Sequence, residues 1–255
     1  MPDLSRSLPF SAPSPRKFAP ARRWPALSLL AIAMALAPAA AQAAGGAFVV
    51  DDAEVGKPGE CKVESWAQFG SNHDMAVIAQ PACVINAGIP VELGGAIART
   101  RSADEWSTSA GPKAKVNLLP IETGRVGVGL AGMAGWDLGT GQYLGQLLYV
   151  PLTLQLRDDF RININGGWQY DAAARLSYAY WGAAFEWTFM QPLTLIGEVF
   201  GLAGPTSDPT TITTPRAQLG LRLTPVSSTD IDLIYGYNLG GENAHWVTIG
   251  LNLRF

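Results

Sequence analysis

Two histidines are the residues of this 255-residue chain whose surroundings first suggest chemistry. His73 lies between Ser71 and Asp74, and His245 opens the last run of the chain. A serine, a histidine and a carboxylate in hydrogen-bonding contact can form a hydrolytic site, so a surface hydrolase using His73 and His245 is one alternative. Ser, Asn, His and Asp are also common turn-forming residues. We therefore expect a turn here, no catalytic residues and no enzyme.

The sequence has no pattern typical of a metal or cofactor site. Its two cysteines and two histidines do not have the spacing of a metal cluster, and no glycine-rich phosphate-binding loop follows a strand-like run. We therefore expect neither a metal ion nor a cofactor.

Charged and amide side chains instead recur at alternate positions of strand-like runs. An Arg or Lys that faces lipid at the bilayer midplane costs about 2–4 kcal/mol, so these side chains are expected to face a polar lumen. Because acids and bases are mixed, two possibilities remain: the side chains pair and plug the interior, or they line a narrow wet passage. The predicted lumen-facing residues are Glu64, Glu92, Lys113, Lys115, Asn163, Asn165, Glu186, Glu198, Arg222, Asp232 and Arg254.

The C-terminal run, from His245 to Phe255, shows the alternation most clearly. Its odd-numbered positions from Val247 onward are apolar, whereas the even-numbered ones include Asn252 and Arg254. About ten alternating residues match one crossing of a bilayer by a tilted strand. A last strand that pairs with the first leaves no open edge in lipid, which predicts a closed barrel. We expect the barrel to contact outer-membrane lipid, and the strand ending at Phe255 to contact the barrel-assembly machinery.

Similar alternating runs fill the chain from Cys61 onward, separated by turn-forming residues. They predict an all-β fold, a transmembrane antiparallel up-and-down β-barrel of about twelve strands. Ten strands is the rival count, because Pro81 falls in the second run. The connections after the third and ninth runs, Arg101 to Ala110 and Gly204 to Thr213, are expected to be longer outer loops, with both termini in the periplasm. The predicted strands are 61–69, 75–84, 91–101, 111–119, 125–136, 143–157, 161–170, 176–189, 192–203, 214–224, 230–239 and 245–255.

Residues 1–43 are predicted to be a signal peptide. A basic stretch beginning at Arg16, an apolar stretch and a small-residue cleavage site at Ala41-Gln42-Ala43 follow in the expected order. The predicted location is the outer membrane of a Gram-negative bacterium, with residues 44–60 as a short periplasmic N-terminal segment and residues 61–255 as the barrel. Cleavage leaves 13 of the 18 basic residues and 20 of the 21 acidic ones. This excess of acids argues against a nucleic-acid partner.

The start of the predicted mature chain carries a short acidic motif. The segment Phe48-Val49-Val50-Asp51-Asp52-Ala53, together with Gly59 and Glu64, resembles the start of outer-membrane proteins associated with the meta-pathway of phenol degradation. The resemblance implies a β-barrel linked to uptake of aromatic or other hydrophobic compounds. It implies no active site.

Cys61 and Cys83 are the only cysteines, and the predicted periplasmic compartment is oxidising. Each lies eleven residues from Asn72, so a hairpin that turns at Asn72 sets the two cysteines opposite each other. The same register sets Ala67 opposite Val77 and gathers one apolar face. We therefore predict a disulfide bond between Cys61 and Cys83.

Three functions remain open from the sequence. The first is a passive channel or uptake pore for small solutes, with aromatic or hydrophobic solutes implied by the resemblance. The second is the surface hydrolase that would use His73 and His245. The third is a plugged barrel with a structural role in the envelope.

Overall fold

The chain forms a closed barrel of twelve strands in the computed structural model, which describes residues 46–204, 215–241 and 244–255. The predicted signal peptide, residues 1–43, lies outside the described residues. Among the described residues there is no helix of the length and hydrophobicity that crossing a membrane requires. The strands are β1 Cys61–Gly70, β2 Met75–Asn86, β3 Pro90–Ser102, β4 Glu105–Leu119, β5 Val126–Asp137, β6 Tyr143–Arg157, β7 Phe160–Asp171, β8 Leu176–Met190, β9 Leu193–Ala203, β10 Arg216–Val226, β11 Thr229–Asn238 and β12 His245–Arg254.

Each strand pairs antiparallel with its neighbours in the chain, and β12 closes the barrel on β1. The closing register runs from Lys62 opposite Arg254 to Gly70 opposite Trp246. The predicted fold class and the count of twelve are thereby confirmed. Pro81 stays within β2, where it pairs with Val63 of β1. We call the end of the barrel at which β1 begins and β12 ends the terminal end, and the opposite end the loop end.

The outward face of the barrel is apolar. Side chains such as Leu233, which is 57% exposed, point away from the interior along the strands. Aromatic rings lie in pairs near strand ends, with Trp168 next to Tyr170 and Trp187 next to Phe189, at centroid distances of 6.3 and 5.8 Å. An apolar band between aromatic belts is the surface that a bilayer covers. The barrel is therefore a membrane-spanning one.

The longer loop predicted after the third strand is wrong. Strand β3 continues to Ser102 and β4 already begins at Glu105, so only Ala103 and Asp104 connect them. Both connecting residues have positive φ, 49° and 65°. Such a two-residue turn has the twist that suits a tight hairpin. The stretch after it, rich in Ser and Thr, is strand rather than loop.

The predicted disulfide is confirmed, together with its register. Cys61 and Cys83 are bonded, and their Cα atoms lie 4.0 Å apart. Ala67 pairs with Val77 as expected. The bond joins β1 to β2 at the terminal end. It therefore holds in place the strand on which β12 closes the barrel.

Replacing both cysteines with serine is expected to lower the free energy of unfolding by roughly 3 kcal/mol, because the bond restricts the unfolded chain. Urea unfolding of the refolded barrel measures this, and the reduced wild-type protein serves as the control that should match the double variant. Mass mapping without reductant comes first. Two free, alkylatable thiols in the mature protein would contradict the bond.

Candidate functional site: the barrel interior

The structure places all eleven of the predicted lumen-facing residues on the inner wall. Nine of them are buried, and Lys113 and Arg254 are partly buried. Arg161 also faces inward, on the same parity as Asn163 and Asn165, and is 3% exposed. Arg161 is not among the predicted lumen-facing residues, although the alternation of β7 places it on the same face as Asn163.

Residues 47–53, the inner segment, lie inside the barrel. Val50, Asp52 and Ala53 are completely buried although they precede the first strand. The sequence predicts a short periplasmic segment at residues 44–60, and within it the inner segment lies against the lumen wall. The inward acids and bases are paired with one another and with the inner segment, and cavities remain beside them.

Glu198 of β9 binds the backbone of the inner segment. The N–H groups of Val49 and Val50 donate hydrogen bonds to its two carboxylate oxygens, at 2.8 and 3.0 Å. The side-chain amide of Gln218 donates a third, at 2.6 Å, and the indole N–H of Trp246 donates to Gln218 in turn, at 3.1 Å. Hydrogen bonds to a charged acceptor are among the stronger ones. Glu198 therefore holds the inner segment at Val49 and Val50.

Amide and hydroxyl groups of other strands bind the rest of the inner segment. The Asn165 side chain accepts a hydrogen bond from the Asp51 N–H, at 2.8 Å, and donates one to the Asp51 carbonyl, at 2.6 Å. The Ala53 N–H donates to the hydroxyl of Thr153, at 2.9 Å, and the Ala53 carbonyl accepts from Asn117. These wall groups replace the water that the backbone would otherwise need.

Lys115 neutralises the two acids of the inner segment. Its ammonium group lies 2.8 Å from a carboxylate oxygen of Asp51 and 3.1 Å from one of Asp52. The hydroxyl of Tyr149 donates to the other oxygen of Asp51, at 2.8 Å, and Arg161 lies 3.6 Å from Asp52. Charges this deeply buried are tolerated only when they are paired. The acidic motif of the sequence thus binds the wall.

The apolar side chains of the inner segment also fit the wall. Phe48 packs with Ile196 and Ile234, and the Arg222 guanidinium lies 5.4 Å from the centre of its ring. Glycines provide the room: a Cβ atom at Gly220 would lie 2.9 Å from the Phe48 ring.

Val50 lies as close to Gly182 as Phe48 does to Gly220. A Cβ atom at Gly182 would lie 2.7 Å from a methyl carbon of Val50, closer than such atoms can approach. Any larger residue at Gly182 must therefore displace the inner segment or distort the wall.

A second set of ion pairs joins wall residues to one another. Arg161 with Glu186 and Arg222 with Asp232 form two parallel hydrogen bonds each, the geometry that suits a guanidinium and a carboxylate. Both partners of each pair belong to the wall, although Arg161 also lies 3.6 Å from Asp52 of the inner segment. The pairs within the wall are Lys62–Glu64, Lys62–Glu92, Lys113–Glu64, Arg161–Glu186, Arg222–Asp232, Arg222–Asp230 and Arg254–Asp230.

Cavities lie on both sides of the inner segment. A loop-end cavity of about 280 Å³ is lined by Val49 together with Gln68, Phe200 and Arg216. A terminal-end cavity of about 380 Å³ is lined by Glu54 and the residues that follow it. Val49 of the inner segment therefore lines the first cavity, and the second cavity begins at Glu54, directly after the segment.

A further cavity, of about 330 Å³, lies toward the loop end between β3 and β7. Its inner lining is mainly apolar, with Ala96, Ala98, Met133 and Leu147, and also includes the polar side chains of Ser109, Gln169 and Asp171. The β4–β5 pairing is interrupted here, between Ala110 opposite Trp136 and Lys113 opposite Met133.

The two histidines do not assemble a hydrolytic site. The Ser71 hydroxyl accepts a hydrogen bond from the backbone N–H of His245, at 3.1 Å, and not from its ring. The His245 ring lies beside Tyr235, at 6.1 Å between centroids, and His73 occupies a turn with a φ of 67°. In the part of the chain that the structure describes, no group of His, Cys, Asp and Glu side chains is arranged to hold a metal ion.

Replacing Glu198 with Gln is expected to speed hydrogen exchange at the Val49 and Val50 amides by about 10- to 100-fold, since a hydrogen bond to a charged group contributes about 1.5–3 kcal/mol. Amide exchange of the folded barrel, resolved by residue, measures this. Glu105→Gln, at the exposed β3–β4 turn, is the matched control and should leave both rates unchanged. Unchanged rates in Glu198→Gln would mean that the carboxylate does not hold the segment.

Solved structures with the same fold are porins and channels. The chain is 8% identical to the KdgM porin, with a TM-score of 0.59, over 76% of this chain and 99% of that one. It is 9% identical to the NanC porin, with a TM-score of 0.60, over 75% and 98% of the two chains. The COG4313 outer membrane channel from Pseudomonas putida F1 is 10% identical, with a TM-score of 0.60, over 80% and 98%. At this identity the likeness shows the fold.

Sequence comparison adds one family. The model of the family described as "Uncharacterised conserved protein UCP029691" matches residues 32–255. No curated protein matches the chain.

Proposed function

We propose that this chain, which belongs to the family described as uncharacterised conserved protein UCP029691, is a passive channel of the Gram-negative outer membrane that its own inner segment closes. One observation carries the proposal. The inner segment lies between a loop-end cavity, which Val49 lines, and a terminal-end cavity that begins at Glu54, and it is held there by hydrogen bonds, ion pairs and packing. Displacing it would join the two cavities.

The apolar cavity supports small aromatic or other hydrophobic compounds as the solutes. Its volume of about 330 Å³ is in the range of small-molecule sites, and Met133 and Leu147 give it an apolar lining. The polar groups on the opposite side, around Arg216 and Gln218, would instead suit water and ions.

The orientation follows the usual arrangement of such barrels, with the terminal end in the periplasm and the loop end outside. The strand that ends beside Phe255 would then serve the barrel-assembly machinery during insertion. The hydrolase alternative is not favoured, because the Ser71 hydroxyl accepts its hydrogen bond from the backbone of His245.

The alternative kept is a permanently plugged barrel with a structural role. The burial of Val50, Asp52 and Ala53 favours it, since a segment so well packed is costly to remove. Conductance separates the two functions.

Gly182→Val is expected to increase single-channel conductance or the fraction of time open, because the added methyl groups collide with Val50. Planar bilayer recording of the refolded protein measures both. Gly166→Val is the matched control, since a Cβ atom at Gly166 meets no atom within 4 Å, and it should behave as wild type.

Deletion of residues 47–53 provides a second variant in case Gly182→Val folds poorly. Heat-modified migration in a denaturing gel reports that each barrel is folded. If the folded deletion variant passes no current, the barrel is a structural one and the channel proposal fails.

Met133→Asp is expected to slow entry of the hydrophobic dye N-phenyl-1-naphthylamine into cells that express the protein, without lowering ionic conductance. The reason is that a charge would be placed in the apolar cavity. Met190→Asp, at an exposed position at the end of β8, is the control. Equal dye entry in both variants would rule out the apolar cavity as the path, even if the channel conducts.

A further inference from the structure

Two arginines interrupt the apolar outer surface of the barrel. Arg99 and Arg101 occupy outward positions of β3, on the parity of Leu93 and Ile97, which are 46% and 48% exposed. Elsewhere in the described strands the charged side chains face inward, except Arg157 at the end of β6. Arg157 has its own carboxylate partner, Asp159, at 3.0 Å.

The position of the two arginines is at the edge of the membrane. They lie two and four residues beyond Ile97, toward the loop end, and a strand advances by about 3.3 Å per residue. An Arg at the bilayer midplane costs about 2–4 kcal/mol, but near the interface the cost falls to about 0–1 kcal/mol. Trp106, opposite Arg101 on β4, is 44% exposed and is typical of the interfacial belt.

Neutral groups hold both guanidinium groups in place. Arg99 donates a hydrogen bond to the Thr108 hydroxyl, at 2.6 Å, and Arg101 donates two to the His73 carbonyl, at 3.2 and 2.9 Å. The two groups lie 5.2 and 5.8 Å from the centre of the Trp106 ring.

No carboxylate compensates these charges. Within the described residues neither Arg99 nor Arg101 forms an ion pair, although Asp104 and Glu105 are close in sequence. An arginine has five N–H donors, so most of those on both groups remain available. The neighbours across β2 are Val77 and Met75, which are apolar. Two positive charges therefore stand side by side above an apolar wall.

We propose that Arg99 and Arg101 bind the phosphate group of a lipid in the outer leaflet. Guanidinium groups bind phosphate oxygens in a bidentate manner, and two of them two residues apart on one strand can share a single phosphate. The acyl chains of the same molecule would lie along Val77, Leu93 and Ile97. A lipid provides both a phosphate for the guanidinium groups and acyl chains for the apolar wall, whereas a free phosphate ion provides only the phosphate. From the proposed function the inference takes only the orientation of the barrel.

The test measures binding of diphosphorylated lipid A to the full-length mature barrel, by native mass spectrometry from a non-ionic detergent that contains a chelator of divalent cations. Arg99→Gln with Arg101→Gln is expected to weaken the apparent affinity at least tenfold. Arg125→Gln with Arg175→Gln, which removes two exposed turn arginines, is the control of equal charge and should bind as wild type. Arg99→Lys with Arg101→Lys should retain part of the affinity.

Three results would overturn the assignment. Equal binding by the Arg99/Arg101 double glutamine variant would remove these residues from the site. Equal binding of the dephosphorylated glycolipid would show that the phosphate is not recognised. Displacement by inorganic phosphate at concentrations similar to those of the lipid would identify a free-anion site. Because binding is measured without solute flux, none of these results depends on whether the channel opens.

Discussion

Lipid offers no hydrogen-bond partner to the backbone, and the rest of this structure depends on that constraint. Every strand must therefore pair on both sides, which the barrel achieves only when β12 closes on β1. The closing pairs extend from Lys62 to Gly70, almost the whole of β1. The disulfide between Cys61 and Cys83 joins the same strand to β2 at the terminal end. Covalent and hydrogen-bonded constraints thus converge on one strand.

The same constraint continues into the lumen, where bulk water is largely replaced by side chains. Polar groups that line the wall must then find partners in one another or in the inner segment. Glu198 takes two backbone N–H groups, and Lys115 takes the carboxylates of Asp51 and Asp52. The wall side chains bind polar groups of the inner segment, and the inner segment binds charged groups of the wall. The interior is therefore a matched set of polar partners.

Much of the barrel could be predicted because a strand repeats its pattern every two residues. Alternation was sufficient for twelve strands, for the inward set and for the pairing of Cys61 with Cys83. Alternation could not predict the position of the inner segment, because the segment has no repeating pattern. The inner segment is hydrogen-bonded to residues up to 149 positions away, among them Glu198, and no local pattern encodes such partners. The start of β4 was missed because Ser and Thr at the loop end favour a turn as readily as a strand.

The wall of the barrel does not depend on the inner segment for its strand pairing. The paired strands and the pairs Arg161–Glu186 and Arg222–Asp232 are complete without the segment. Removing it would take the carboxylates of Asp51 and Asp52 from Lys115 and two of three hydrogen bonds from Glu198, but in a lumen that water would then enter. A charge exposed to water needs no partner, so much of the desolvation cost that makes broken buried pairs unfavourable would be avoided. The proposed opening therefore requires no unfolding of the barrel.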